Sequence, residues 1–526
     1  MKSKIYLWSM VLLMVLVTSC REESDTVYNY TFDDGLNFDE AANSYAGKFK
    51  VLWKALNQNY AIWDYERDLG LDWDAVYDEF LPKYEALDKR TDVTDAELTE
   101  LLTETVAPLH DGHFVAQMQN HQTRSFVMVS PSNNRVAKRP DCANATTFYQ
   151  NLKLDLDFYR SNGDIVEYQE INASNIGLIS LAYKTEGKCY LWAKDEVERL
   201  NQQTSLTDLE QFQLTGLQSF INEFDQMISL LLAQKLTKES AAQLYNQLVA
   251  KYNYLEIPGL NAIHSSFSNC GIYVKYALFK NNVAYLYIDG FYLTPYMTDE
   301  SIQHYFGGAD AATMAIVNEV HDTWQSWHQK IQTLHASGQL RGVIVDVRSD
   351  GGGMLSDYPY VFGSLVASGG FEIGNARFKR GLGRYDYSPI APARFPTMDA
   401  THAALTEPVV VLCNSGSVSM AEITSLSCKV LPNGTLIGMP THGGVCALHG
   451  NPKSYTADYA GIVGTQNVTP VWLYIPTMVT MSKEGQIFEG VGITPDILVD
   501  YDPTLFSAQG RDSQLDRALQ FLNTGN

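Results

Sequence analysis

Two short runs of the chain, Gly342-Val343-Ile344-Val345-Asp346-Val347 and Val409-Val410-Val411-Leu412, are apolar almost without interruption. A strand with one wet face alternates apolar and polar residues. An unbroken run this short fits a strand covered on both faces. Each run is bounded by glycine or turn residues and followed by a helical stretch, so buried strands alternate with helices and the fold class is α/β. Upstream, Ile272 to Phe279 alternates like a half-buried strand and Val283 to Ile288 reads as the next. A helix is predicted over Ala311 to His335.

At 526 residues the chain is too long for one ordinary core, so two or three domains are expected. Hydrophobic residues at 45% and charged ones at 19% mark it as globular rather than disordered. Phe49, Leu52, Trp53, Leu56, Tyr60 and Trp63 recur at helical steps. A second such stretch opens at Asp72-Trp73-Asp74, and Thr94-Asp95-Ala96-Glu97 has the form of a capped helix start. These define an N-terminal helical domain over 44–125, with its aromatics in the core. A middle section over 126–270 is mixed: Ile176 to Trp192 contains strand-like runs, and Leu206 to Leu236 is a long amphipathic helix. Residues 271–526 form the α/β core.

The first twenty residues carry an address. Lys2 and Lys4 precede the apolar run Ile5 to Val17, which ends at Thr18-Ser19-Cys20. This is the form of a secretory signal, too short for a confident bilayer span. A Cys directly after it resembles the bacterial lipobox, which implies cleavage before Cys20 and lipidation of its thiol. Residues 21–43 would be a polar linker. The expected setting is the cell envelope, as an outer-membrane lipoprotein facing the periplasm or the cell surface. The net charge of −22 argues against nucleic acid as a partner. Export permits disulfides, and a bridge is possible among Cys142, Cys189 and Cys270. No cysteine spacing suggests a zinc site, and no metal or organic cofactor is expected.

Three segments end or follow strands of the α/β layer, where loops usually hold active sites. In Asp346 to Gly353, three glycines let the backbone approach a ligand and turn its amides inward. In Asn414-Ser415-Gly416-Ser417-Val418-Ser419-Met420-Ala421-Glu422, a small-residue turn can present a serine at a helix N-terminus, though composition alone also fits a capping cluster. Phe488 to Ile497 alone reads as a turn and a strand.

Taken together and in this order, the segments resemble the C-terminal processing peptidase and tricorn-core family of serine peptidases. That family carries an Asp-Leu-Arg-Asn-Asn-x-Gly-Gly-like segment, a Gly-Ser-x-Ser-x-x-Glu segment and a Gly-Val-x-Pro-Asp-like segment. Leu109-His110-Asp111-Gly112-His113 matches its Leu-x-Asp-Gly-His motif, and Arg511 to Leu519 its closing helix. The resemblance implies a spiral core of the crotonase and Clp-peptidase type and a protein or peptide substrate. It places the nucleophile on Ser419, with Ser417 and Ser415 as lesser candidates, and oxyanion donors on the amides of Gly352 and Met420. The processing branch has a lysine where Gly444 stands, so a Ser–Lys dyad is unsupported. The tricorn branch uses a histidine, which falls on His113, and a glutamate, which falls on Glu489. Its intervening serine is Gly112 here, so the relay is incomplete or bridged by water. His442 is an alternative base and His110 is assigned a structural role. Many relatives insert a PDZ module, for which residues 125 to 270 show no clear carboxylate-binding loop. The rival reading is a binding lipoprotein that keeps the fold without the chemistry.

Overall fold

In the computed structural model the described residues are 36–132, 155–173, 189–233, 238–260, 272–398, 402–450 and 459–525, less 37, 259, 308, 310, 447–448, 461 and 465. The signal, Cys20, Cys142 and Cys270 lie outside them, as does most of the 21–43 linker. Among the described residues Cys189, Cys413, Cys428 and Cys446 are free, buried thiols, and no helix is long and apolar enough to cross a membrane.

The protein is a mixed α/β structure with a helical N-terminal region. Its main sheet has seven strands: β1 (Ile165–Asn172), β2 (Tyr273–Phe279), β3 (Val283–Ile288), β4 (Gly342–Asp346), β5 (Val409–Cys413), β6 (Gly434–Gly438) and β7 (Ile497–Leu498). Their order across the sheet is their order in sequence. β3 to β7 run parallel, and β1 and β2 add an antiparallel edge. Alternate residues of β4 and β5 serve different cores. Val343, Val345, Val409 and Val411 face the larger one. Ile344, Val410 and Leu412 face a second, shared with Leu515, Ala518 and Leu522 of the closing helix Ser513–Thr524. Cover on both faces is why these strands are apolar throughout.

The helices over Tyr45–Asn59, Trp73–Leu87 and Asp95–Val106 start on side-chain caps from Ser44, Asp72 and Thr94, the last in a reciprocal capping box with Glu97. Their apolar faces join one core with Phe114, Ala116 and Met118, and with Val471, Leu473 and Val479 from late in the chain. That union comes from a four-stranded antiparallel sheet in which Val115–Gln119 pairs with Val471–Tyr474. It brings the loop before Val115 against residues near 440 and 490.

The middle section departs from the expectation. The part of the strand-like stretch that is described, from Cys189 on, opens the helix Cys189–Asn201, and Ile176 to Lys188 lies outside the described residues. Cys189, Tyr190, Ala193 and Leu200 are its buried residues, a helical spacing that outweighs the β-preference of its aromatics. The amphipathic helix is present over Asp208–Leu232. β1, unforeseen, belongs to the main sheet.

Candidate active site

β4 and β5 are neighbours, so the turns leaving their C-terminal ends lie side by side. Asn414 fastens them: its side-chain oxygen accepts the Ser349 amide at 2.8 Å and the Gly416 amide at 2.9 Å. Arg348 anchors the first turn from below. Its guanidinium is fully buried and pairs with Asp346 at 2.6 Å and Asp512 at 2.7 Å.

Ser419 is the last residue before the helix Met420–Val430, with φ +56° and ψ −113°. A non-glycine residue holds such a conformation only when its surroundings enforce it, and this strain is common at functional positions. Gly352 presses against it: a Cβ there would stand 2.5 Å from Ser419 Cβ and 3.0 Å from the Met420 nitrogen. Ser417 is occupied otherwise. Its hydroxyl donates to the Val347 carbonyl at 2.7 Å and accepts the Asn414 amide at 3.1 Å. Ser415 is buried.

The Met420 amide opens the helix and has no hydrogen-bond partner among the described residues, as an oxyanion donor requires. The Gly352 amide instead donates to Asp350 Oδ1 at 2.6 Å. In this state it is committed, contrary to the expectation of a free donor.

His113 sits in the loop before Val115, where Asp111 Oδ1 accepts the amides of His113 and Phe114 at 2.7 and 3.0 Å. Burial, with His442 beside it, lowers the imidazole to about 4. Its Nδ1 is buried without a hydrogen-bond partner among the described residues. No hydrogen bond joins the Ser419 hydroxyl to His113 or His442 among the described residues. His110 is structural: its ring meets Glu66 at 2.7 Å, and Glu66 also accepts from Tyr60.

Glu489 does not reach the imidazole by hydrogen bond. Its carboxylate accepts the Gly112 amide at 2.8 Å and the Cys446 amide at 2.6 Å, clamping the histidine loop to the 440s segment. Desolvation, with Asp111 next to it, raises this carboxyl to about 8. Asp111, Cys446 and Glu489 place one ligand atom each within 4.8 Å of one another, which a metal ion could use. Both Glu489 oxygens already accept backbone amides, so the group works as a clamp.

Glu422 is a residue that composition alone does not single out. Its carboxylate accepts from Thr441 Oγ1 at 2.6 Å and from the amides of Gly443 and Gly444 at 2.8 and 2.7 Å. The Ser419 amide approaches it at 3.3 Å, and burial raises it to about 7. The sequence signal is the Ser419-x-x-Glu422 spacing of a capping box.

The fold thus brings together a serine strained at a helix N-terminus, a glycine turn against it and a histidine loop tied to the neighbouring 443–446 strip through Glu489. Residues 282–499 match Peptidase family S41, and the chain carries a domain of that family. It is 29% identical over 181 residues to the tricorn protease of Thermoplasma volcanium, covering 34% of this chain and 14% of that protein. It is 26% identical over 192 residues to the carboxy-terminal-processing protease of Bartonella bacilliformis, covering 34% of this chain and 38% of that one. The chain thus spans well under half of these relatives. Among solved structures, mature CPAF complexed with lactacystin aligns at a TM-score of 0.45 and 11% identity, over 93% of this chain and 100% of that one.

Proposed function

We propose that the protein is a serine-type peptidase that cleaves exported proteins or peptides through an acyl-enzyme on Ser419. The observation that carries this reading is the conformation of Ser419, strained at the N-terminus of a helix with Gly352 against it. His113 is the base. Burial keeps its ring unprotonated at pH 7, and the same burial lowers its basicity. As Ser419 Oγ bonds to the substrate carbonyl carbon, its proton passes to His113 and the oxyanion accepts from the Met420 amide. The C–N bond then breaks, and the leaving amine takes the proton from His113. Water, losing a proton to the same ring, attacks the ester carbon; the bond from that carbon to Ser419 Oγ breaks, Oγ takes the proton back from His113, and the carboxylic product leaves. Glu489 serves by fixing the loop that carries His113. Gly444 at the lysine position supports Ser–His over Ser–Lys. The spiral form of the core, the domain limits at 125 and 270 and the lipid anchor on Cys20 belong to the same proposal. The anchor rests on the signal-like first twenty residues.

The test is a fluorophosphonate probe applied to the purified protein and to its Ser419→Ala and His113→Ala variants. Labelling lost in both variants is expected. A second reading, a ligand-binding protein on the peptidase fold, draws on the missing hydrogen bond between Ser419 and His113. Absence of labelling in folded wild-type protein would favour it.

A further inference from the structure

Asp350 is fully buried in the turn that faces Ser419. Its Oδ1 accepts the Gly352 amide, while its Oδ2, also buried, has no hydrogen-bond partner among the described residues. Asp357 nearby shows what a structural carboxylate looks like in this turn. It is equally buried but accepts the amides of Leu293 and Thr294 and the Thr294 hydroxyl. Asp350 carries the same desolvation with a single bond to offset it. Burial and the neighbouring Asp289 and Asp357 push its carboxyl well above the usual range. A buried polar atom left unpaired calls for a reason. Shaping the turn does not supply one, because the tie from this residue to the serine turn runs through its backbone carbonyl, which accepts the Val418 amide at 2.9 Å.

The bond Asp350 does make falls on the amide beside the nucleophile. An amide has one proton, and while Asp350 holds it a carbonyl oxygen cannot have it. The Gly352 carbonyl accepts the Phe291 amide at 2.9 Å, so a change of partner is confined to the peptide on its N-terminal side. The peptide between Gly351 and Gly352 has glycine on both sides, Gly351 has open space around its Cα, and Gly352 sits at φ +88°. On the peptidase reading above, we propose that Asp350 is a latch on the oxyanion site. Its side chain holds the Gly352 amide in the resting protein, and a substrate carbonyl must win that amide before Ser419 reacts. Asp350 is thus a positioning residue that acts through Gly352, and it sets the protein at rest.

The experiment compares fluorophosphonate labelling rates of wild type, Asp350→Asn and Asp350→Ala, with Ser419→Ala as the blank. Hydrogen–deuterium exchange at the Gly352 amide is followed in the same proteins without the probe. Removing the acceptor should raise the labelling rate about tenfold in Asp350→Ala, a fraction of the ~10²–10³ that one oxyanion donor is worth. Asn keeps an acceptor oxygen in a side chain of the same shape, so its rate should lie between wild type and Asp350→Ala. Gly352 exchange should quicken in the same order. Slower or unchanged labelling in the folded variants, or unchanged exchange at Gly352, overturns the latch. Labelling that survives Ser419→Ala, or fails in every protein, means that the peptidase reading has failed. In that case exchange at Gly352 still decides whether Asp350 holds the amide.

Discussion

Gly112 and Gly444 lie back to back, so close that a Cβ on Gly112 would stand 2.4 Å from Gly444 Cα and 2.5 Å from the Gly443 carbonyl oxygen. A Cβ on Gly444 would in turn meet Gly112 Cα at 3.3 Å. Both are positions where the sequence departs from the family pattern, one lacking a serine and the other a lysine. They are one packing feature. Backbone passes over backbone, and the carboxylates of Glu422 and Glu489 hold the two strips from either side through the Gly444 and Gly112 amides.

Gly112→Ser should therefore not restore a relay. Overpacking of this kind costs about 1–3 kcal/mol and sometimes more, and here the obstruction is backbone, which cannot swing aside. Urea unfolding should show the loss, with fluorophosphonate labelling lowered rather than raised. A Gly112→Ser variant as stable as wild type would mean that the two strips are not so closely apposed in solution.

The serine turn separates two hydroxyls that the sequence leaves in competition. Ser419→Ala should abolish labelling and leave the unfolding midpoint nearly unchanged. Ser417→Ala should keep labelling but lose about 1–3 kcal/mol of stability, since it strands the Asn414 amide and leaves the Val347 carbonyl only the longer bond from the Asp350 amide. Labelling lost in Ser417→Ala with stability intact would reverse the assignment.

Much of this was legible from residue pattern. β3 to β5 could be read because strands covered on both faces must be apolar throughout, whereas composition left Ser419 within a possible capping cluster and only the resemblance singled it out. β1 was not. It is an edge strand bearing Glu167, Tyr168 and Glu170, largely exposed, so it lacks the pattern of a covered strand. The contact of the histidine loop with the 440s was also hidden. It is made by glycine backbones and by amides on buried carboxylates, which leave no periodic side-chain trace. Asp350 looked like part of a plain turn because its role depends on which amide it captures.

The Arg348 network ties the site to the end of the chain. Arg348 bonds Asp346, Asp512 and Gln514, and Asp512 also caps the closing helix by accepting the Gln514 and Leu515 amides. Arg348→Met would leave Asp346 and Asp512 buried without their cation, and breaking such a group costs about 3–5 kcal/mol. The double variant Asp512→Asn in that background should lose less than the sum of the two single losses. Strict additivity would show that the two residues do not share a network.

The buried titrating groups near the site give opposite pH slopes. His113 is held at about 4, against 6.5 for a free histidine. Between those values the unfolded chain binds a proton that the folded chain refuses. Stability from this group is full above 6.5 and falls as pH drops toward 4. Glu422 and Glu489, raised from 4.5 to about 7 and about 8, behave the other way. The folded chain holds their protons longer, so their contribution is full below 4.5 and is lost as pH rises through 7 and 8. Glu489→Gln should accordingly flatten the decline in unfolding free energy between pH 4.5 and pH 8, and His113→Gln should flatten the slope between pH 4 and pH 6.5. Labelling of Ser419 should keep its rate down to about pH 4, because the base stays neutral until then. An acid limb near 6.5 would show instead that the working histidine is solvated, and would shift the base from His113 to another ring such as His442.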